Sequence, residues 1–290
     1  MPAAPMLRRP AGPFLIPARL LLVLSGLVVF ILGAYNLGHE LHAAQVDLVY
    51  VIVAGVAMVV FLVSLGLAWR RAGLAAVVAG IIAFVEFGVI ASAHFVSGPA
   101  ALSAFIKKEG LPAAPVLMGL LPACALCFMA AVVSWSHPTG HRRRYDTLPV
   151  LILAVVGTIV VILATTDSLY RADFGTANPE DATFAAAVTA TAWLVGAFWI
   201  ARVRRTGAIV IILATFNIGY SFVTLHLAKG GTPISDIASK SGPGWAVIAV
   251  LSAALALTAL LTALGILGLA LVGPRRSARA AIPAAQRARP

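Results

Sequence analysis

The chain contains 290 residues, of which 61% are hydrophobic and 11% are charged. Its mean hydropathy is +1.00 and its formal net charge is +11. Water-soluble domains carry about 25% charged residues, so this composition excludes a soluble globular protein. It is typical of an all-α, polytopic integral membrane protein whose main partner is the lipid bilayer.

Eight segments are long and apolar enough to cross a membrane. A spanning helix needs about 20 mostly apolar residues, because no water in the bilayer core binds its backbone polar groups. The sixth segment is the weakest, since it opens with Thr- and Ala-rich sequence and could begin several residues earlier. In chain order the predicted helices are Phe14–Leu37, Leu48–Trp69, Gly73–Val96, Ala113–Trp135, Leu148–Thr166, Thr183–Ile200, Gly207–His226 and Trp245–Val272.

The distribution of charge predicts the orientation of the chain. Sixteen of the 21 Lys and Arg residues lie towards the two termini and around the even-numbered connections, where the only acid is Asp146. The other nine of the ten acids lie on the opposite side or within the membrane. The positive-inside rule therefore predicts that both termini are cytoplasmic, and the basic charge gives no reason to expect nucleic acid as a partner. The Arg-rich composition leads us to expect the inner membrane of a bacterium.

The two halves of the chain share a series of landmarks in the same order. This pattern predicts a tandem duplication of a four-helix unit, with residues 14–135 and 148–272 as the two units and 136–147 as a cytoplasmic linker. Each unit has an even number of helices, so both copies would run in the same direction. The alternative is that hydrophobic helices align by composition alone. The matched pairs are Phe30–His39 with Val161–Tyr170, Trp69–Gly73 with Val203–Gly207, Ala83–Gly88 with Ala214–Gly219, and Ser92–His94 with Thr224–His226. Residues 1–13 and 273–290 are predicted to be disordered cytoplasmic tails.

Glu86 is the first candidate for a functional site. An ionisable residue near the centre of a bilayer costs about 2.5–3.5 kcal/mol on insertion scales, so its presence points to a function by default. In the proposed repeat Glu86 corresponds to Asn217, which begins a polar stripe with Tyr220 on the seventh helix. The alternative is that Glu86 is protonated and only bonds to a neighbouring helix.

A second pair of polar residues lies at the outer ends of the first helix of each unit. Asn36 corresponds there to Asp167. Two carboxyl groups and two amides, from Glu86, Asp167, Asn36 and Asn217, could meet near a pseudo-two-fold axis and bind a proton or a cation. The alternative for Asp167 is a purely structural ion pair with Arg171, four residues later.

Four histidines are predicted to lie on the outer side: His39, His42, His94 and His226. His39 and His42 could bind a divalent metal with nearby acids, but their spacing is not that of a known zinc motif. His94 and His226 occupy equivalent positions and could hold a b-type haem between them. Their helical phase relative to Glu86 and Asn217 differs by about 100°, so they match only if one helix is bulged or has ended.

The two cysteines, Cys124 and Cys127, form a Cys-x-x-Cys pair in the fourth helix. Such pairs are redox-active where a helix opens to solvent, but this pair lies within a span, and we expect buried structural thiols. The sequence contains no nucleotide-binding or nucleophile motif, so an enzyme is not favoured. The outer segment Pro99–Lys108 is predicted to form a short amphipathic helix or a plain connector.

Three functions remain open from the sequence. The leading hypothesis is a transporter or channel-like protein with an outward-facing polar cavity for a proton, a cation or a small solute. The second is a redox subunit that binds b-type haem or quinone through His94 and His226. The third is a non-catalytic accessory subunit, and we expect either a homo-oligomer or a larger membrane complex.

Overall fold

The computed structural model describes residues 18–42, 48–70, 73–96, 101, 102, 104, 106, 113–136, 148–171, 179–200, 203–227 and 232–287. The side chains at 39, 40, 42, 48, 50, 136, 148, 180, 204 and 270–287 lie outside this description. All regular secondary structure among the described residues is helical. The helices are α1 (Ala18–His42), α2 (Leu48–Trp69), α3 (Gly73–His94), α4 (Ala113–Ser136), α5 (Leu148–Arg171), α6 (Pro179–Ile200), α7 (Arg204–Phe222), α8 (Ile234–Lys240) and α9 (Pro243–Arg287).

Eight of these nine described helices are long and apolar enough to span a membrane, which confirms the predicted number of spans. The exception is α8, a helix of seven residues that the sequence analysis did not predict. Its Ile237 is fully buried against the beginning of α9. The protein is therefore a multi-pass integral membrane protein.

Several helix ends differ from the prediction; the first helix, for example, ends at His42 and not at Leu37. The sixth helix begins at Pro179, four residues before the predicted start. The fifth continues to Arg171, where the Asp167–Arg171 pair links successive turns. The last helix continues to Arg287, so the predicted disorder after residue 272 is wrong as far as that residue.

The first four helices form one bundle. Each packs mainly on two neighbours, in the order α1, α2, α3, α4 and back to α1, and α1 also contacts α3 across the bundle. The contact between α3 and α4 is close because Gly80 has no side chain: a Cβ there would lie 2.8 Å from the Cβ of Ala131. In the connection between α3 and α4, Leu102 is 1% exposed and packs into the bundle core, so this part of the predicted surface helix is buried.

The other four long helices form a second bundle, in the order α5, α6, α7, α9 and back to α5. Two glycines bring its helices together. A Cβ at Gly157 of α5 would lie 1.9 Å from the Trp193 ring of α6, and one at Gly207 of α7 would lie 2.7 Å from the carbonyl oxygen of Gly196. The two bundles thus have the same cyclic order of helices, as a duplication would require.

The bundles are joined mainly by α4 and α6, with a smaller contact between α4 and α5. Gly119 of α4 lies near both bundles: a Cβ there would be 3.5 Å from Leu32 of α1 and 3.9 Å from Ile162 of α5. Among the spans, α4 has the largest buried share, 61% of its residues, and α6 follows with 56%. The core of the molecule is therefore centred on α4.

Candidate functional site

Glu86 points into the first bundle from α3. Its Oε1 lies 3.8 Å from the position that a Cβ would take at Gly33 of α1. Its carboxyl group is also within electrostatic range of the Cys124 thiol of α4. The half-buried carboxyl group therefore faces α1 and α4, and the missing side chain at Gly33 leaves room beside it.

Asn36 extends this polar region along α1. Residues three apart on a helix share one side, so Asn36 lies on the side of Gly33, one turn nearer the predicted outer end. Its side chain belongs to the bundle interior, since the residue is only 5% exposed. Glu86 and Asn36, predicted to share a site, thus both face the interior of the first bundle.

The two cysteine thiols belong to α4, which packs on both α1 and α3. Cys124 and Cys127 are both fully buried and neither forms a disulfide, as expected for structural thiols. The Ser25 hydroxyl of α1 donates to the carbonyl oxygen of Leu21 at 2.6 Å and is within hydrogen-bonding distance of Cys127. The α1–α4 interface therefore brings a serine hydroxyl beside a cysteine thiol.

In the second bundle the corresponding polar residues have different partners. Asn217 of α7 donates from Nδ2 to Oγ1 of Thr189 of α6 at 2.7 Å. One turn further along α6, Nε1 of Trp193 donates to Oγ1 of Thr215 at 3.0 Å. These two bonds connect α6 to α7. The Thr-rich sequence that makes α6 the weakest span thus supplies a partner for Asn217, which sequence reasoning missed.

Asp167 is held by its own helix. Nε of Arg171 donates to Oδ2 of Asp167 at 2.9 Å, and the two side chains are only 4% and 5% exposed. Nη2 of the same arginine also lies 3.5 Å from the Ser168 hydroxyl. The ion pair that the sequence analysis considered as an alternative is therefore present, and it is buried.

The four predicted polar residues are divided between the bundles. In the described part of the chain, neither α1 nor α3 has a packing interface with α5 or α7. Glu86 and Asn36 therefore belong to one bundle, and Asp167 and Asn217 to the other. Tyr220, the next predicted residue on α7, is 64% exposed and points away from its bundle.

The two equivalent histidines have different surroundings. His94, at the end of α3, is 4% exposed. His226 lies in a π-helical turn, Val223–Leu227, that follows α7. Its Nδ1 is 3.0 Å from the carbonyl oxygen of Thr232, and its ring packs edge-on against Phe222. The two histidines were expected to match only if one helix was bulged or had ended, and this turn is such a bulge, but α3 and α7 share no packing interface among the described residues.

The metal hypothesis concerns partly undescribed side chains. His39 and His42 belong to the last turn of α1, but their side chains lie outside the described part of the structure. Among the residues that are described, no three His, Cys, Asp or Glu side chains come close enough to hold a metal ion. The metal hypothesis for His39 and His42 therefore stays a prediction.

A narrow cleft lies inside the second bundle, towards the predicted cytoplasmic side. Its walls are almost wholly apolar, with one threonine. They comprise Val150, Leu153, Ala154, Trp193, Ile200, Ile211, Ala259, Thr262 and Ala263. Such a cleft has few groups to bind an ion and differs from the predicted outward-facing polar cavity.

No protein-family model matches the chain, and neither the curated proteins nor the solved structures contain a match to it.

Proposed function

We propose that the protein is a transporter or channel-like protein in which Glu86 binds a proton or a cation within the first bundle. The observation that carries this proposal is the direction of the Glu86 side chain. Its carboxyl group turns from the middle of a membrane span towards Gly33 of α1 and Cys124 of α4. Burying a carboxyl group at this depth is costly, and such residues mark ion and proton pathways in membrane proteins.

The space at Gly33 supports the proposal because a bound ion needs room beside the carboxyl group. Asn36 adds an amide on the same side of α1, and an amide oxygen is a suitable ligand for a hard cation. The site that we propose therefore lies between α1, α3 and α4, at Glu86 and Asn36.

The second bundle has a supporting role in this proposal. Asn217 bonds to Thr189, and Asp167 is paired with Arg171. Both polar groups thus have partners inside their own bundle that would have to be displaced before they bound an ion. We assign the ion to Glu86 rather than to a site shared by the two carboxyl groups, because Glu86 and Asp167 belong to different bundles.

The orientation and origin of the protein complete the proposal. We infer that both termini are cytoplasmic, that the membrane is the bacterial inner membrane, and that the two bundles arose by tandem duplication. The charge pattern supports the first inference. The common cyclic order of the helices supports the last.

Ion flux into proteoliposomes tests the site. Protein is reconstituted with a pH-sensitive dye inside the vesicles, and proton flux is measured in imposed gradients of H⁺, Na⁺ or K⁺. Glu86→Gln keeps the shape of the side chain but removes the charge, and we expect it to reduce flux at least tenfold. Tyr220→Phe is the matched control, because it removes a polar group that faces out of the bundle. Equal flux through the wild type and Glu86→Gln would show that the site is assigned to the wrong residue.

A further inference from the structure

The contact between the two bundles uses a different helix from each. The fourth helix of the first bundle, α4, packs on the second helix of the second bundle, α6. A two-fold arrangement would repeat this contact between the fourth helix of the second bundle, α9, and the second helix of the first, α2. Among the described residues, α9 and α2 have no packing interface. One surface of each kind is therefore left uncovered on every copy of the chain.

Burial shows the same imbalance. In α4 and α6, 61% and 56% of the span residues are buried, whereas the values for their counterparts α9 and α2 are 28% and 22%. Helices in equivalent positions therefore differ about twofold in burial. The two helices with the smaller buried share, α9 and α2, are the ones that would make the missing contact.

The uncovered side of α2 is a continuous row of valines. They follow one another at alternating spacings of four and three residues, which is the spacing of a helix-packing seam. All five are exposed: Val49 64%, Val53 61%, Val56 57%, Val60 42% and Val63 56%.

The helix α9 has the complementary seam. Exposed residues follow one another there at alternating spacings of three and four. They are Val247, Val250, Ala254, Leu257, Leu261, Leu264 and Gly268. In the membrane, helices associate by close van der Waals packing, and the small residues Ala254 and Gly268 let a partner helix approach.

We propose that a second copy of this chain covers these surfaces, so that α9 of one copy packs on α2 of the next. This contact between copies has the same form as the α4–α6 contact within each copy. The proposed assembly rests on the proposed duplication but not on the ion-binding role of Glu86. A head-to-tail contact of this kind closes into a ring when the rotation between units allows it. The resulting assembly is a closed ring of four-helix bundles in the plane of the membrane.

The direction of the helices agrees with this arrangement. Both α4 and α6 follow odd-numbered connections, and so do α2 and α9, so each pair runs parallel from the predicted outer side. Val60 of α2 and Leu257 of α9 lie at similar distances from the beginnings of their helices. They should therefore meet across the interface.

Cross-linking between single-cysteine chains tests the proposal. In a Cys124→Ala/Cys127→Ala background, chains with Val60→Cys and chains with Leu257→Cys are given different tags, co-expressed and oxidised in native membranes. We expect a disulfide-linked pair that carries both tags, and no linked pair when either chain is expressed alone. The matched control replaces Leu257→Cys by Leu213→Cys, at comparable depth on the exposed side of α7.

The mass of the assembly in lipid nanodiscs is the second measurement. We expect a single species of two or more copies, which Val56→Phe on α2 shifts towards the monomer while the thermal unfolding of each chain changes little. If the wild type is a monomer, the proposal is wrong and the valine row of α2 contacts lipid. Cross-linking of either variant with itself would overturn the head-to-tail arrangement, and equal cross-linking of the control would show random collision.

Discussion

Asn217 and Thr189 join α7 to α6 through a hydrogen bond of 2.7 Å between the amide nitrogen and the hydroxyl oxygen. In the proposed repeat Asn217 corresponds to Glu86, but its side chain is hydrogen-bonded to a threonine of the neighbouring helix. The same position therefore stabilises helix packing in one bundle and presents a carboxyl group to the interior of the other.

The Asn217–Thr189 bond is expected to contribute to stability and not to ion flux. Asn217→Ala and Thr189→Ala should each lower the free energy of unfolding, with a coupling energy of about 0.6 kcal/mol, the average for hydrogen bonds between membrane helices. A double-mutant cycle measured by unfolding in detergent gives this value. Strictly additive effects would show that the bond does not form.

The buried ion pair makes a different prediction. Arg171→Met leaves the Asp167 carboxylate buried without its cation, and we expect a loss of about 3–5 kcal/mol in unfolding free energy. Arg171→Met combined with Asp167→Leu removes both charges and should recover most of that loss. The comparison requires unfolding curves of the two single variants and the double variant. A double variant less stable than Arg171→Met would contradict the burial of the pair.

The packing of Gly157 against Trp193 is expected to tolerate no added methyl group. A Cβ at Gly157 would lie 1.9 Å from the ring, so Gly157→Ala must move the indole and weaken its bond to Thr215. We expect a loss of about 1–3 kcal/mol and altered tryptophan fluorescence. Gly219→Ala is the control, since nothing lies within 4 Å of its Cβ position, and an equal loss there would point to a general effect on helices.

The space beside Glu86 can be filled without changing any charge. Gly33→Val should place methyl groups next to the carboxyl group and reduce ion flux at least tenfold in proteoliposomes. Gly38→Val, on the same helix, is the control because its Cβ position is open. Normal flux through Gly33→Val would mean that the ion does not pass between α1 and α3.

The redox hypothesis is tested by a visible spectrum of the purified protein. His94 and His226 belong to helices that do not pack on each other in the described part of the chain, and Nδ1 of His226 already lies against a backbone carbonyl. We therefore expect no Soret band from a haem bound by these two residues of one chain. A Soret band that His226→Ala abolishes would restore the haem hypothesis.

Several features of the site followed from the sequence because they depend on neighbours along one helix. The Asp167–Arg171 pair is an example, since a separation of four residues places both side chains on one side of the helix. The π-turn at His226 was not predicted, because the phase difference from His94 and Glu86 showed only that the two histidines match if one helix is bulged or has ended. The partner of Asn217 was not, since Thr189 lies on another helix.

The number, length and approximate ends of the spans were determined by the sequence alone. Hydropathy is a local property, and the cost of exposing backbone polar groups to lipid forces each apolar segment to become a helix. Which helices pack together was decided only by the tertiary structure. Most faces of these helices are apolar, and the polar stripe on α7 includes Tyr220, which points outward, so the sequence pattern does not identify the face that turns inward. In lipid the choice rests on shape at residues such as Gly80, Gly157 and Gly207.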